Sequence, residues 1–157
     1  MNTEELLQQA EELLKPWAKE VSRPEDNRLD VRIEREDLLA AVDALILKAH
    51  RGYLAAITGL DHPEDEQVEL VYTFPDMAAL VNLRVSVPYA DAQVPTLCDL
   101  IPSATLYERE LMEMFGVTVV GTPDPARLLL SDDWPEGVYP LRKSFTGFDQ
   151  LETESES

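Results

Sequence analysis

The sequence predicts an α+β fold: an antiparallel or mixed sheet of about four to five strands with helices on one face, followed by an extended C-terminal arm. Three observations carry this expectation. Apolar and polar residues alternate through VELVYTF at 68–74 and through AALVNLRVSVP at 78–88, as half-buried strands require. Apolar residues recur instead at helical spacing over 6–17, 38–49 and 107–115. Beyond residue 120 neither period persists, although large apolar residues remain plentiful.

Taken in order, Asn2 and Glu5 fit an N-cap with its capping-box partner, and Leu6, Leu7, Ala10, Leu13, Leu14 and Trp17 line one helical face that Pro16 disturbs. A polar link around Pro24 to Asn27 leads to a strand in which Leu29, Val31 and Ile33 alternate with charged residues. In the second helix Leu38, Ala41, Val42, Leu45, Ile46 and Ala49 share a face; Asp37 is placed to cap its start and Gly52 to end it. YLAAITG at 53–59 reads as a buried strand, and the DHPEDE that follows as a loop with a solvated His62. Val68, Leu70, Tyr72 and Phe74 then face one way, Pro75 and Asp76 mark a turn, and Val81, Leu83, Val85 and Val87 complete an antiparallel hairpin that Pro88 ends.

A short helical turn is expected after Pro95. Pro102 interrupts it, and Ser103 is placed to cap the helix carrying YERELMEMFGV. Gly116 stops that helix, and VTVV returns as a short strand. Residues 1–120 thus form the α+β domain, 121–149 an extended partner-docking arm, and 150–157 a disordered acidic tail. In the arm four prolines accompany Leu128, Leu129, Leu130, Trp134, Val138, Tyr139, Leu141, Phe145 and Phe148. A flexible linker would not carry so many large apolar groups, so a covering partner is expected.

With 31 acidic against 13 basic residues the chain has a formal charge of −18, which repels nucleic-acid phosphates and anionic lipid. No signal-peptide pattern and no apolar run of about 18 residues is present, so the chain is expected neither to enter nor to span a membrane by itself and to stay in the cytoplasm. One cysteine, Cys98, excludes an intrachain disulfide and an all-cysteine metal or iron–sulfur site; its neighbours Leu97, Leu100 and Ile101 mark it as a buried thiol. His50, beside Arg51, fits a helix C-terminus, and no glycine-rich nucleotide fingerprint occurs.

The densest charge cluster is Glu108, Arg109, Glu110 and Glu113. At about 100° per residue Tyr107, Leu111, Met114 and Phe115 form the core arc, with Glu108 on one side and Arg109 and Glu113, able to pair at i and i+4, on the other. Glu110 lies near the apolar arc, in a position expected to be partly buried. Acid–base catalysis by Glu110 and Glu113, an exposed ion-pair face, and an intersubunit charge-pair site are the three readings. The last is favoured, because carboxylates at i and i+2 do not face one site and no histidine or nucleophile accompanies them. Arg127, Arg142 and Lys143 interrupt the acidic arm, either as forks for a partner's carboxylates or as exposed counter-charges for Asp132, Asp133 and Asp149.

ERELMEMFG, then GTPDPARLLL, then DDWPEGVYPLRKSF closely resemble, in order and spacing, the C-terminal signature of the 30 kDa subunit family of respiratory complex I, shared with energy-converting membrane-bound [NiFe] hydrogenases. The resemblance is strong over residues 94–148. It assigns Glu108, Arg109, Glu110, Glu113, Phe115 and Gly116 to the helix signature, Pro123, Asp124 and Arg127 to the following loop, and Pro140, Leu141, Arg142 and Lys143, together with Trp134, to a partner-binding arm. Thr122 stands where the family usually has histidine or lysine, and Ala126 where a second basic residue is common. What the resemblance implies is a cofactor-free subunit on the cytoplasmic face of the cell membrane that clasps the large catalytic subunit and an adjoining iron–sulfur subunit. The complex would carry iron–sulfur clusters and, in the hydrogenase branch, [NiFe]. The form DDWPEGVYPLRK is nearer to that branch than to the complex I branch.

Overall fold

A computed structural model describes residues 2–48, 52–126, 129–130, 134–145 and 147, except for the side chains of 47 and 48. The elements are α1 (Thr3–Leu14), β1 (Glu20–Glu25), β2 (Arg28–Arg32), α2 (Leu38–Val42), β3 (Ala56–His62), β4 (Gln67–Asp76), β5 (Ala79–Pro88), β6 (Gln93–Pro95), α3 (Ala104–Phe115) and β7 (Thr118–Val120). A five-stranded sheet runs in the order β1-β2-β5-β4-β3, and β6 pairs with β7 in a separate two-stranded sheet. Every pair in the large sheet is antiparallel except β2 with β5, so the sheet is mixed.

Register decides which side chains meet. Val68 lies opposite Val87, Leu70 opposite Val85, Tyr72 opposite Leu83 and Phe74 opposite Val81, while Leu29 and Val31 of β2 align with Val81 and Leu83. All ten are buried on one face, as the alternation predicts. Leu7, Ala10 and Leu14 of α1 pack here, as do Leu38, Ala41 and Val42 of α2 and Leu111 and Phe115 of α3. The capping box at Asn2 and Glu5 is present.

The opposite face is ionic. Asp30 takes two hydrogen bonds from Arg28, at 2.9 and 2.8 Å, one from Arg84 at 3.0 Å and one from Asn82 at 2.9 Å. Glu69 takes one from Arg84 at 3.0 Å and one from Arg32 at 2.9 Å, and lies 3.3 Å from His62. Burial pushes both carboxyls toward the neutral form, but these bonds and the guanidinium charges outweigh it and hold both below their ordinary range. His62, expected in solvent, is therefore engaged with Glu69 at the end of β3.

Several expectations are corrected. The polar link before Asn27 contains β1, which forms a hairpin with β2 yet is exposed along its whole length. The buried strand expected at 53–59 lies at 56–62 and forms the half-exposed edge of the sheet. Pro75 and Asp76 remain in β4, and the turn is at Met77 and Ala78, with Met77 at a φ of 54°. The short helical turn expected after Pro95 is present, by contrast: strand β6 ends at Pro95, and Leu100 and Ile101 N–H both donate to the Leu97 carbonyl. Neither Asp37 nor Ser103 makes a side-chain cap bond. The second helix continues from α2 as a π-helical segment, Asp43–Lys48. His50 lies outside the described residues. Gly52 has a φ of 64°, and a side chain there would meet the Pro75 carbonyl at 2.4 Å.

Candidate functional site: a helix clasped by its own arm

The three sequence motifs converge on α3. The helix ends at Gly116, whose φ of 73° suits the left-handed cap and whose N–H donates to the Met112 carbonyl. The last carbonyls of a helix need partners from elsewhere, and the arm provides two of them. Leu141 N–H donates to the Met114 carbonyl at 3.1 Å, and Arg142 Nε donates to the Phe115 carbonyl at 2.6 Å. A guanidinium at this end also meets the negative pole of the helix. The Arg142 guanidinium stands 4.8 Å from the Tyr89 ring centre and 5.1 Å from that of Tyr139. Tyr139 in turn covers Gly116, where an added Cβ would lie 2.4 Å from its ring.

Asp61 fixes the arm from the sheet side. It pairs with Val68 across the strand edge and so faces the core side, where it accepts Lys143 N–H at 2.8 Å and the Tyr89 hydroxyl. Burial, then Asp61, pushes the Tyr89 hydroxyl up to about 12. Trp134 donates its indole N–H to the Val138 carbonyl and lies beside Phe145, and Val138 is buried.

The loop between α3 and the arm is held by the helix charges. Arg109 donates to the Ala126 carbonyl at 2.9 Å and pairs with Asp124 at 3.3 Å, while Asp124 also accepts Ala126 N–H. Glu113 accepts Leu129 N–H at 2.9 Å. Ala126 takes part through its backbone alone. The hydroxyl of Thr122 is buried with no hydrogen-bond partner among the described residues.

Glu108 does not flank the core; it enters it. Its side chain is 2% exposed and accepts Leu97 N–H at 2.6 Å and the Thr96 hydroxyl at 2.7 Å, with the Cys98 thiol 3.7 Å away. Burial raises its carboxyl above the ordinary range despite these donors. Burial likewise pushes up the Cys98 thiol, which makes it a poor nucleophile. Glu110, expected to be partly buried, is exposed. An open groove of about 380 Å³ between α3 and the arm is lined by Met112, Glu113, Trp134 and Tyr139 but not by Glu110, so the two carboxylates considered as acid and base do not share it.

Most of the residues predicted to meet a partner therefore act first within the chain. Arg109, Glu113, Phe115, Gly116, Asp124, Trp134, Leu141, Arg142 and the backbone of Lys143 belong to one clasp around the end of α3. Arg142 is neither a free fork nor an exposed counter-charge. Pro123 and Pro140 lie in its connecting turns, and Arg127 lies outside the described residues, as do Leu128 and Phe148. Asp61 and Tyr89 were missed. Strand parity counted on from Gly59, which abuts Phe115, would have turned Asp61 inward.

This fold and clasp define a small α+β subunit whose C-terminal segment folds back over its last helix. The chain belongs to the 30 kDa subunit family of the respiratory-chain NADH dehydrogenase, which matches residues 31–150. It is 37% identical over 125 residues to the C-type subunit of the NADH-quinone oxidoreductase of Moorella thermoacetica, covering 78% of this chain and 80% of that protein. It is 32% identical over 128 residues to formate hydrogenlyase subunit 5 of Escherichia coli, covering 79% of this chain but only 22% of the relative. Among solved structures, a chain of the membrane-bound sulfane sulfur reductase, an archaeal respiratory membrane complex, superposes with a TM-score of 0.80 at 26% identity, covering 98% of this chain and 91% of that one. The trypsin-resistant fragment of Nqo5 aligns over 79% of this chain and 99% of its own length, with a TM-score of 0.59 at 27% identity.

Proposed function

We propose that the chain is a cofactor-free scaffold subunit in the hydrophilic arm of a membrane-bound oxidoreductase of the complex I or energy-converting hydrogenase type. It holds the large subunit that bears the quinone or [NiFe] site and sits beside an iron–sulfur subunit. The metal centres of the complex lie in those partners. No helix among the described residues is long and apolar enough to cross a membrane, so its place at the membrane comes from the complex.

One observation carries this reading: the family's signature residues are engaged in clasping the arm to α3, and in doing so they fix the shape of the surface around the helix end. The acid–base alternative is disfavoured by Glu113, whose carboxylate accepts Leu129 N–H, and by the position of Glu110 outside the groove that Glu113 lines. The form DDWPEGVYPLRK supports the hydrogenase branch. The Moorella relative, which is matched over most of its length, favours complex I as the second reading.

Purification of the complex through a tag on this chain tests both. Recovery of a large subunit with nickel and hydrogen turnover is expected for the first branch, and a nickel-free large subunit with quinone reduction for the second. Turnover by the isolated chain on a small substrate would overturn the scaffold reading.

A further inference from the structure

The clasp leaves one part of α3 uncovered. Leu106, Glu110 and Met114 are spaced four residues apart and form a single stripe along the helix. Leu106 is 53% exposed, Glu110 is exposed, and Met114 is half-buried. The backbone bond from Leu141 to Met114 extends this stripe into the arm, where Leu141 is 52% exposed. An aliphatic ridge therefore runs from the helix onto the arm with a single carboxylate set between its apolar members.

That carboxylate differs from its neighbours. Arg109 and Glu113 are engaged with the 124–129 loop and Glu108 with residues 96–98, whereas Glu110 makes no hydrogen bond or ion pair among the described residues. Three of the chain's arginines, Arg28, Arg32 and Arg84, are committed to the carboxylates of the outer sheet face. If a partner covers the stripe, the Glu110 carboxylate between Leu106 and Met114 requires a basic group opposite it, because desolvating it unpaired is costly. Exposed aliphatic side chains gathered in one row are the usual centre of a subunit contact.

We infer that the ridge Leu106–Glu110–Met114–Leu141 is a docking surface for a partner subunit that presents an apolar patch with one arginine or lysine near its middle. This inference rests on the scaffold reading above and adds the chemistry of the contact. The clasp brings Leu141 to the end of the stripe, because its N–H is bonded to the Met114 carbonyl.

The test uses the assembled complex, recovered from its native host through a tag on this chain, with Leu106→Asp, Glu110→Arg and, as an exposed control, Met77→Asp. Both ridge substitutions should lower the ratio of co-purifying subunits to tagged chain by about tenfold or more, with unchanged thermal unfolding of the free chain, while the control should not. Full stoichiometry with both ridge variants would overturn the inference and leave the scaffold reading intact. A loss confined to Glu110→Arg would mark simple charge repulsion and also overturn it. A wild-type chain that brings down no other subunit would overturn the scaffold reading, and the ridge with it.

Discussion

Arg142→Ala should release the arm from α3 while leaving the sheet folded. The substitution removes a charge-assisted hydrogen bond to the Phe115 carbonyl, a contact type worth about 1.5–3 kcal/mol. It also removes two guanidinium–ring contacts, to Tyr89 and Tyr139, each worth about 0.5–1 kcal/mol at a partly exposed position. Water can re-solvate the carbonyl once the arm lifts, so the net weakening of docking is set at about 2–3 kcal/mol, below the full sum. That corresponds to about a 30- to 160-fold rise in the open population. Native-state hydrogen exchange reads it directly, because Leu141 N–H is bonded to Met114 and Phe145 N–H to Arg142 itself. Both amides should exchange faster by that factor, with the β4–β5 ladder unchanged. Arg142→Lys, which keeps the charge but loses the planar fork, should fall between. Unchanged exchange at Leu141 and Phe145 would refute the clasp. Equal acceleration throughout the sheet would show that the arm is not a separate unit.

Gly116→Ala strains a φ of 73° and drives a methyl group into Tyr139; an expected cost of about 1–2 kcal/mol from the backbone alone should appear as a lower thermal midpoint and faster exchange in the arm. Glu108 has a carboxyl raised above its ordinary value of 4.5, so the folded chain binds more protons than the unfolded one from about that pH up to its raised value. Its contribution to stability therefore falls as pH rises through this window, and Glu108→Gln should flatten that slope in urea unfolding followed from about pH 4.5 to 8. A slope identical to wild type would remove Glu108 as its source. Asp30 has the opposite sign: its lowered carboxyl stabilises the fold above its ordinary value of 3.8, and this is lost as pH falls through the folded value. Asp30→Asn should cost about 2 kcal/mol at neutral pH by stranding Arg28, while Arg84 keeps Glu69; the cost is below that of a fully buried pair because both arginines are part-exposed.

The sequence was most legible where burial is one-sided. The alternation over 68–74 and 81–87 announces both strands and their core face, and the helical period over 107–115 followed by Gly116 announces α3 and its C-terminal end. β1 left no such trace, because all six of its residues are exposed and its Pro24 reads as a breaker. The parallel β2–β5 pairing joins segments about fifty residues apart and has no local signature. On α3, a wheel built from hydrophobicity keeps carboxylates out of the core, yet Ala104, Glu108, Leu111 and Phe115 form the buried stripe. Glu108 is tolerated there because Thr96, Leu97 and Cys98 supply donors from a loop that only the tertiary fold brings near. The apolar anchors of the arm were legible, but the cover expected for them was a partner rather than the chain's own helix. That much of its docking is to its own helix depended on the carbonyls of Met114 and Phe115, which have no pattern in sequence, and on Asp61, which lies past the expected end of its strand at 59.

The most direct test of the scaffold account is the subunit content of membranes from cells lacking this chain, measured by quantitative mass spectrometry. The account predicts that the large redox subunit is lost from the membrane fraction, and that the wild-type chain restores both the subunit and turnover. A large subunit retained at full abundance, with only turnover abolished, would contradict it.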